Sequence, residues 1–362
     1  MTTISGGASC AAGIDYITAS GTLNFASGDT SKPFSVTICN DGVFEGAENF
    51  NLTLSSPTGG AVIGTPNPAN VIILNNSAAK SDYDGDGKAD LSSLRTVSGG
   101  TSIWSIRESS GGVIRGYQWG LETDVPTPAD FDGDGKTDVA IWRPGAPTVA
   151  SFYILNSATQ TLSIVPFGQT GDNPIVVADY DGDNKADPAV YRSGAQSVFY
   201  YRGSLSNPGG NVTFVSWGTT GDRPSVGDFN GNGKADFAIF RAGIWWILRD
   251  NGTSVTQSFG LSMDKLVPAD YDGDGKTDFA VFRQSDSNWY ILPSSTGTPY
   301  QLGWGLSTDI LVPADYDGDG RTDIAVYRNG VWFILPSLNG GFVTDYFGLS
   351  TDYPLANTTV TP

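Results

Sequence analysis

The 362-residue chain contains no histidine, only two cysteines and two methionines, and no apolar run of the roughly 18 residues a bilayer requires. Each shortage closes off a class of function. Without histidine there is no Ser-His-Asp or Cys-His nucleophile, no His-ligated zinc and no imidazole proton shuttle. Two cysteines, Cys10 and Cys39, cannot support a disulfide-dense scaffold, but they suffice for one bridge, which an extracellular setting favours over two buried thiols. Basic residues are scarce as well: 20 Lys and Arg face 38 Asp and Glu, for a formal charge of −18. That balance opposes a nucleic-acid or anionic-membrane surface, since both need clustered basic side chains. The first residues, MTTISGGASC, lack the basic and then apolar pattern of a secretory signal, so an export signal would lie outside this sequence. Against these shortages stand 47 glycines, 20 prolines and 12% aromatic residues, a composition that reads as all-β. The length suits two or three domains.

The strongest positive signal is internal repetition. Six nine-residue segments, DYDGDGKAD, DFDGDGKTD, DYDGDNKAD, DFNGNGKAD, DYDGDGKTD and DYDGDGRTD, begin at residues 82, 130, 179, 228, 270 and 315. Other features keep step with them. Thirteen residues after each first aspartate stands an arginine: Arg95, Arg143, Arg192, Arg241, Arg283 and Arg328. An aromatic-led apolar stretch such as WWIL or WYIL follows in most units. Then comes an aromatic-Gly-x-x-x-Asp element, with aspartates at 124, 172, 222, 264, 309 and 352. Each unit therefore reads as four short strands joined by polar turns. Four strands in about 40–50 residues, repeated, is the pattern of β-propeller blades, with an open solenoid as the competing geometry. The last unit ends in FGLSTDYPLANTTVTP, where Thr358 replaces the next first aspartate, and no lead-in strand precedes residue 82. A six-bladed ring in which the C-terminal tail supplies the first strand of the first blade satisfies both ends. Seven blades would need a unit the chain lacks.

Each nine-residue segment places oxygen donors at positions 1, 3, 5 and 9 and a backbone carbonyl at position 7, the spacing a hard cation with six to eight oxygen ligands requires. The expected ligands are Asp82, Asp84, Asp86, Lys88 and Asp90; Asp130, Asp132, Asp134, Lys136 and Asp138; Asp179, Asp181, Asp183, Lys185 and Asp187. The series continues with Asp228, Asn230, Asn232, Lys234 and Asp236; Asp270, Asp272, Asp274, Lys276 and Asp278; Asp315, Asp317, Asp319, Arg321 and Asp323. About six Ca²⁺ are expected, one per loop. The fourth loop, with Asn230 and Asn232, should bind more weakly, and Asn184 stands where the other loops carry a second glycine. An EF-hand is excluded, because position 12 holds Ser93, Ile141, Val190, Ile239, Val281 and Val326 on expected strands and no glutamate. Bare acidic turns are the plainer alternative. Packing four carboxylates together without a cation is repulsive, which favours calcium.

On these loops, the Phe-Gly pairs at Phe167, Phe259 and Phe347, their Trp-Gly equivalents at Trp119, Trp217 and Trp304, and the AVFR and AVYR strands, residues 82–357 resemble the FG-GAP/VCBS-type repeats of bacterial surface proteins, related to the integrin alpha-chain propeller. The resemblance implies calcium between the first and second strands of each blade, and adhesion or ligand display without catalysis.

Residues 1–77 lack the repeat and read as a small β-sandwich. Through AGIDY, SGTLNF, VFEGAENFNLTL and the closing VIIL, they resemble a Calx-beta domain that lacks an early strand. That resemblance implies an edge calcium cluster, of which Asp15, Asp41 and Glu45 remain while Asn40, Asn75, Asn76 and Ser77 depart from acidic positions. Residues 78–81 form a linker, and the propeller occupies 82–362. An incomplete sheet invites strand addition from another chain, hence self-association. The function expected is a non-catalytic, secreted or cell-surface calcium-stabilised adhesion module with a protein or glycan ligand. The alternatives are a filament or stalk subunit and a calcium-dependent lectin. The aromatic stripe is expected to pack in the core, and the six arginines to pair with the recurrent aspartates.

Overall fold

The computed structural model describes residues 6–7, 16–37, 48–65, 67–73, 81–338 and 340–355. It divides into two compact units, Met1–Asn76 and Ser77–Pro362. In the first, Gly6–Gly7 pairs with Tyr16–Ile17, and Glu48–Leu52 runs antiparallel to Ala69–Ile73. Tyr16 stacks on Phe50 with ring centroids 4.5 Å apart. Cys10, Cys39, Asp15, Asn40, Asp41, Glu45, Asn75, Asn76 and Ser77 lie outside the described residues, so the bridge and the edge calcium cluster expected there do too.

The second unit is a six-bladed propeller. Its blades 2, 4, 5 and 6 follow chain order: the second strands are Val139–Arg143, Asp236–Arg241, Phe279–Arg283 and Ile324–Arg328, each with a first strand on one side and third and fourth strands on the other. Blade 1 takes its first strand from the far end of the chain. Tyr353–Pro354 pairs antiparallel with Leu91–Val97, and Leu355 N–H donates to the Ser92 carbonyl at 2.9 Å. The tail thus closes the ring as its sequence predicts. Blade 3 departs from the pattern. Asn173 accepts the Ile175 N–H at 3.1 Å and Pro174 has no N–H to give, so Pro174–Val176 tightens into a 3₁₀ turn. Bridges Asn173–Tyr191 and Ala178–Asp187 on either side of that turn hold the first-strand position. No α-helix occurs among the described residues.

Burial peaks in the second strands and falls outward from them, and the sequence follows it. Second strands are covered on both faces and read as continuous apolar runs, VAIW, FAIF, FAVF and IAVY. Third strands alternate, as in Ile244–Leu248, Asn288–Leu292 and Val331–Leu335, burying Trp245, Trp289 and Trp332 completely. Fourth strands, such as Ser254–Ser258, are half exposed. The core is accordingly split into six apolar clusters, one between each pair of successive blades, the last joining Leu91 of blade 1 to Trp332 and Tyr327 of blade 6. The buried indoles donate outward: Trp104, Trp245, Trp289 and Trp332 each bond the carbonyl of the residue before the recurrent glycine. The Trp-Gly tryptophans reach the next blade, with Trp119, Trp217 and Trp304 bonding the carbonyls of Tyr153, Trp246 and Phe333.

All six arginines fork onto their aspartates: Arg143 on Asp124, Arg192 on Asp172, Arg241 on Asp222, Arg283 on Asp264, Arg328 on Asp309 and, across the closure, Arg95 on Asp352. Five of them lie over an aromatic ring, while Arg95, with Ser105 at that place, does not. The Arg95–Asp352 pair, 2.6 and 2.7 Å, is therefore one side-chain clasp of the ring, beside the Arg107–Asp345 ion pair between blades 1 and 6. Asp352→Ala should cost about 1–3 kcal/mol, at the modest end because the Arg95 side chain is 37% exposed. Urea unfolding measures this, and an unchanged midpoint would show that the clasp contributes nothing to closure.

Candidate metal centres

Each aspartate loop leads into the second strand of a blade, from the first-strand position in every blade but the first, and its main chain folds the carboxylates inward. In the first loop Asp82 accepts the N–H groups of Gly85 and Gly87 at 2.6 and 2.8 Å. Asp130, Asp228, Asp270 and Asp315 repeat this pair of bonds, and Asp179 does so with Gly182 and Asn184. Asn184 takes φ = 63°, as the substitution requires. Position 9 anchors the loop to the turn between third and fourth strands. Asp90 accepts the N–H groups of Tyr83 and Ser109, both at 2.7 Å, and its five equivalents do likewise. All six position-9 aspartates are fully buried.

Three of the expected carboxylates come together in each of five loops, and the fourth loop forms no such group. Oxygens of positions 1, 3 and 9 lie within 4.8 Å of one another in Asp130–Asp132–Asp138, Asp179–Asp181–Asp187, Asp270–Asp272–Asp278 and Asp315–Asp317–Asp323, and the first loop gathers Asp82, Asp84 and Asp86. In three loops the position-3 carboxylate, of Asp132, Asp181 or Asp317, keeps one buried oxygen without a hydrogen-bond partner. Converging like charges and an orphaned acceptor in an oxygen-only site fit a hard divalent cation. The proton affinities agree. Burial, offset by the two backbone donors and reinforced by the neighbouring carboxylates, pushes Asp90, Asp187, Asp278 and Asp323 up to about 7. Asp138, Asp236 and Asp270 rise to about 6, with burial again the leading cause. Position 12 lies on a second strand in every blade, which upholds the exclusion of an EF-hand.

Two contributions were missed by spacing alone. First, the turn residue five positions after each third-strand aromatic serves the loop. Ser109, Ser157, Ser294 and Ser337 donate their hydroxyls to Asp86, Asp134, Asp274 and Asp319 at 2.6–2.8 Å, and Ser204 donates to Asp183. The constant offset was the available signal. Second, the loops grip one another. The position-8 N–H of each donates to the position-1 carbonyl of the loop before it: Thr137 to Asp82, Ala186 to Asp130, Ala235 to Asp179, Thr277 to Asp228, Thr322 to Asp270 and, closing the circle, Ala89 to Asp315, all at 2.5–2.7 Å. Above these bonds the position-7 side chain lies across the preceding loop's position-4 glycine, Lys185 on Gly133 and Lys88 on Gly318 among them.

The family model for the Calx-beta domain matches residues 1–77 and that for the FG-GAP-like repeat matches 130–190 and 270–326. The chain thus joins a Calx-beta domain to an FG-GAP-like repeat propeller. No curated protein matches it. Among solved structures, selenomethionine-substituted virginiamycin B lyase from Staphylococcus aureus is 8% identical with a TM-score of 0.45, covering 75% of this chain and 88% of its own. An Agrocybe aegerita lectin that recognises non-reducing terminal N-acetylglucosamine is 17% identical with the same TM-score, covering 73% of this chain and 79% of its own. At such identities and scores neither activity transfers to this chain.

A Cβ on Gly133 would stand 2.8 Å from the Lys185 side chain, at φ = 79°, whereas Gly135, at φ = 82°, faces open space. Gly135→Ala should cost about 1–2 kcal/mol for the left-handed backbone alone. Gly133→Ala should cost up to about 1 kcal/mol more, because the Lys185 side chain must move off the new Cβ. Equal losses in chemical denaturation would show that the packing of Lys185 on Gly133 contributes nothing. The pH dependence follows from the raised position-9 groups. Ion-free, the folded chain holds protons that the unfolded chain releases above about pH 4, so its stability falls as pH climbs from about 4 to 7. A cation needs those carboxylates ionised, so the rise in Tm on adding calcium should be larger near pH 8 than near pH 5.5. Melting curves with calcium and with chelator at both pH values check this, and a calcium shift independent of pH would contradict it.

Proposed function

We propose that this protein is a calcium-stabilised, non-catalytic binding module that works outside the cell, at a cell surface or after secretion, and engages a protein or glycan. The observation that carries the reading is the recurrence of one inward-facing carboxylate cluster at the same point of blade after blade, each seated in the loop ring. A cation site repeated with the fold supports the fold. One that served chemistry or regulation would break the repeat. The Calx-beta and FG-GAP-like matches support the calcium-associated binding role. Against catalysis, the buried acids are engaged: they sit in the loops or under arginines, and Glu108 pairs with Arg115.

A lectin is the second reading, and one observation favours it. A cleft of about 540 Å³ between blades 1 and 2 carries Tyr83, Tyr117, Glu108 and Gln160 on its walls, aromatic faces beside polar groups as sugars require. A glycan array with and without calcium tests it, and silence in both would leave a protein ligand.

A site held at a hundred times its Kd adds about 2.7 kcal/mol to the folded state. Excess chelator should therefore lower the Tm by more than about 10 °C across several sites. An unchanged melting curve would overturn the calcium reading.

A further inference from the structure

One loop is wired in the opposite sense from the other five. In blade 4 the position-3 and position-5 acids are Asn230 and Asn232, and the turn residue five places after Trp245 is Asp250 where the other blades carry serine. These changes meet in space. Asn232 Nδ2 donates to Asp250 Oδ1 at 2.9 Å, while Asn232 Oδ1 accepts the Lys234 N–H at 3.0 Å, which fixes the amide's direction. Asn230 Nδ2 donates to both oxygens of Asp236, at 3.1 and 3.3 Å, and to Asp250 at 3.4 Å. Elsewhere the turn side chain donates to a loop carboxylate; here the loop side chains donate to Asp236 and to the turn's Asp250, while the turn keeps only its main-chain bond, Asp250 N–H to Asp236 at 3.2 Å.

We propose that the amide groups of Asn230 and Asn232 take the place of the cation in blade 4, so that the propeller binds five calcium ions and its fourth loop is held without one. This rests on the calcium reading of the other loops. An amide NH₂ presents partial positive charge to Asp236 and Asp250, the role a divalent ion fills where four acids converge. No atom of loop 4 is among the buried acceptors left without a partner, a property its carboxylates share with those of loops 1 and 5, whereas Asp132, Asp181 and Asp317 each keep one such oxygen. To enter, a cation would have to break these amide bonds and turn both asparagines.

The full chain, stripped and then dialysed against excess calcium, should retain five ions in its propeller by elemental analysis, counted beyond any held by residues 1–77. Hydrogen exchange in chelator should leave 228–236 as protected as in calcium, while the other five loops exchange at least tenfold faster. Replacing the three residues together, Asn230→Asp, Asn232→Asp and Asp250→Ser, should add a sixth ion and make 228–236 as sensitive to chelator as its neighbours. If that variant does not fold, the exchange comparison in the native chain still decides. Six ions, with all six loops loosening alike, would overturn this inference and leave the calcium reading standing. No bound ion would overturn both.

Discussion

A circle of six main-chain hydrogen bonds, position 8 of each loop to position 1 of the loop before, ties every blade to its neighbours at the start of the second strand. The rest of the propeller is arranged so that this circle can exist. The position-1 aspartate must present its carbonyl to the next loop, which it does because its carboxylate is fixed by two N–H groups of its own loop. Those N–H groups point inward only because the main chain takes positive φ at positions 4 and 6. The glycine at position 4 has a second duty, leaving room for the neighbouring lysine or arginine. Local turn chemistry and the contact between blades are therefore one constraint.

At the far end of the same strand, the Arg–Asp forks form a second circle. Each aspartate there also accepts the N–H three residues before it, so the connection into the next blade is bent by the acid that holds the arginine. Between the two polar circles lie the six apolar clusters. Their aromatic pairs are edge-on, stacked or tilted, as with Tyr327–Trp332 at 5.3 Å within blade 6 and Tyr180–Phe237 at 5.0 Å between blades 3 and 4.

The charge of −18 takes its meaning from these circles. Twenty-two of the 38 acids occupy loop ligand positions, four in each of five loops and two in the fourth. Six more lie under arginines. Little of the acidity is left to act as a surface field for a basic partner, and cations in the loops would reduce it further.

How much of this the chain announces differs by element. The repeat, the strand count, the closing tail and the convergence of loop carboxylates were legible because each is a matter of identity at fixed offset, and the backbone converts such offsets directly into geometry. The Arg–Asp pairs were legible for the same reason. The serine turns had a constant offset too, but their role required knowing that the turn between third and fourth strands folds back onto the loop. The 3₁₀ turn in blade 3 was not legible, since prolines at Pro126 and Pro224 sit in regular first strands and only the Asn173 cap sets Pro174 apart. Sequence by itself determined the blades, their number and their acidic loops, because these depend on periodicity and residue type. Tertiary structure alone decided that the loops form a closed circle, and that Asn230, Asn232 and Asp250 answer one another, because those contacts join positions whose separation along the chain carries no signal of their nearness.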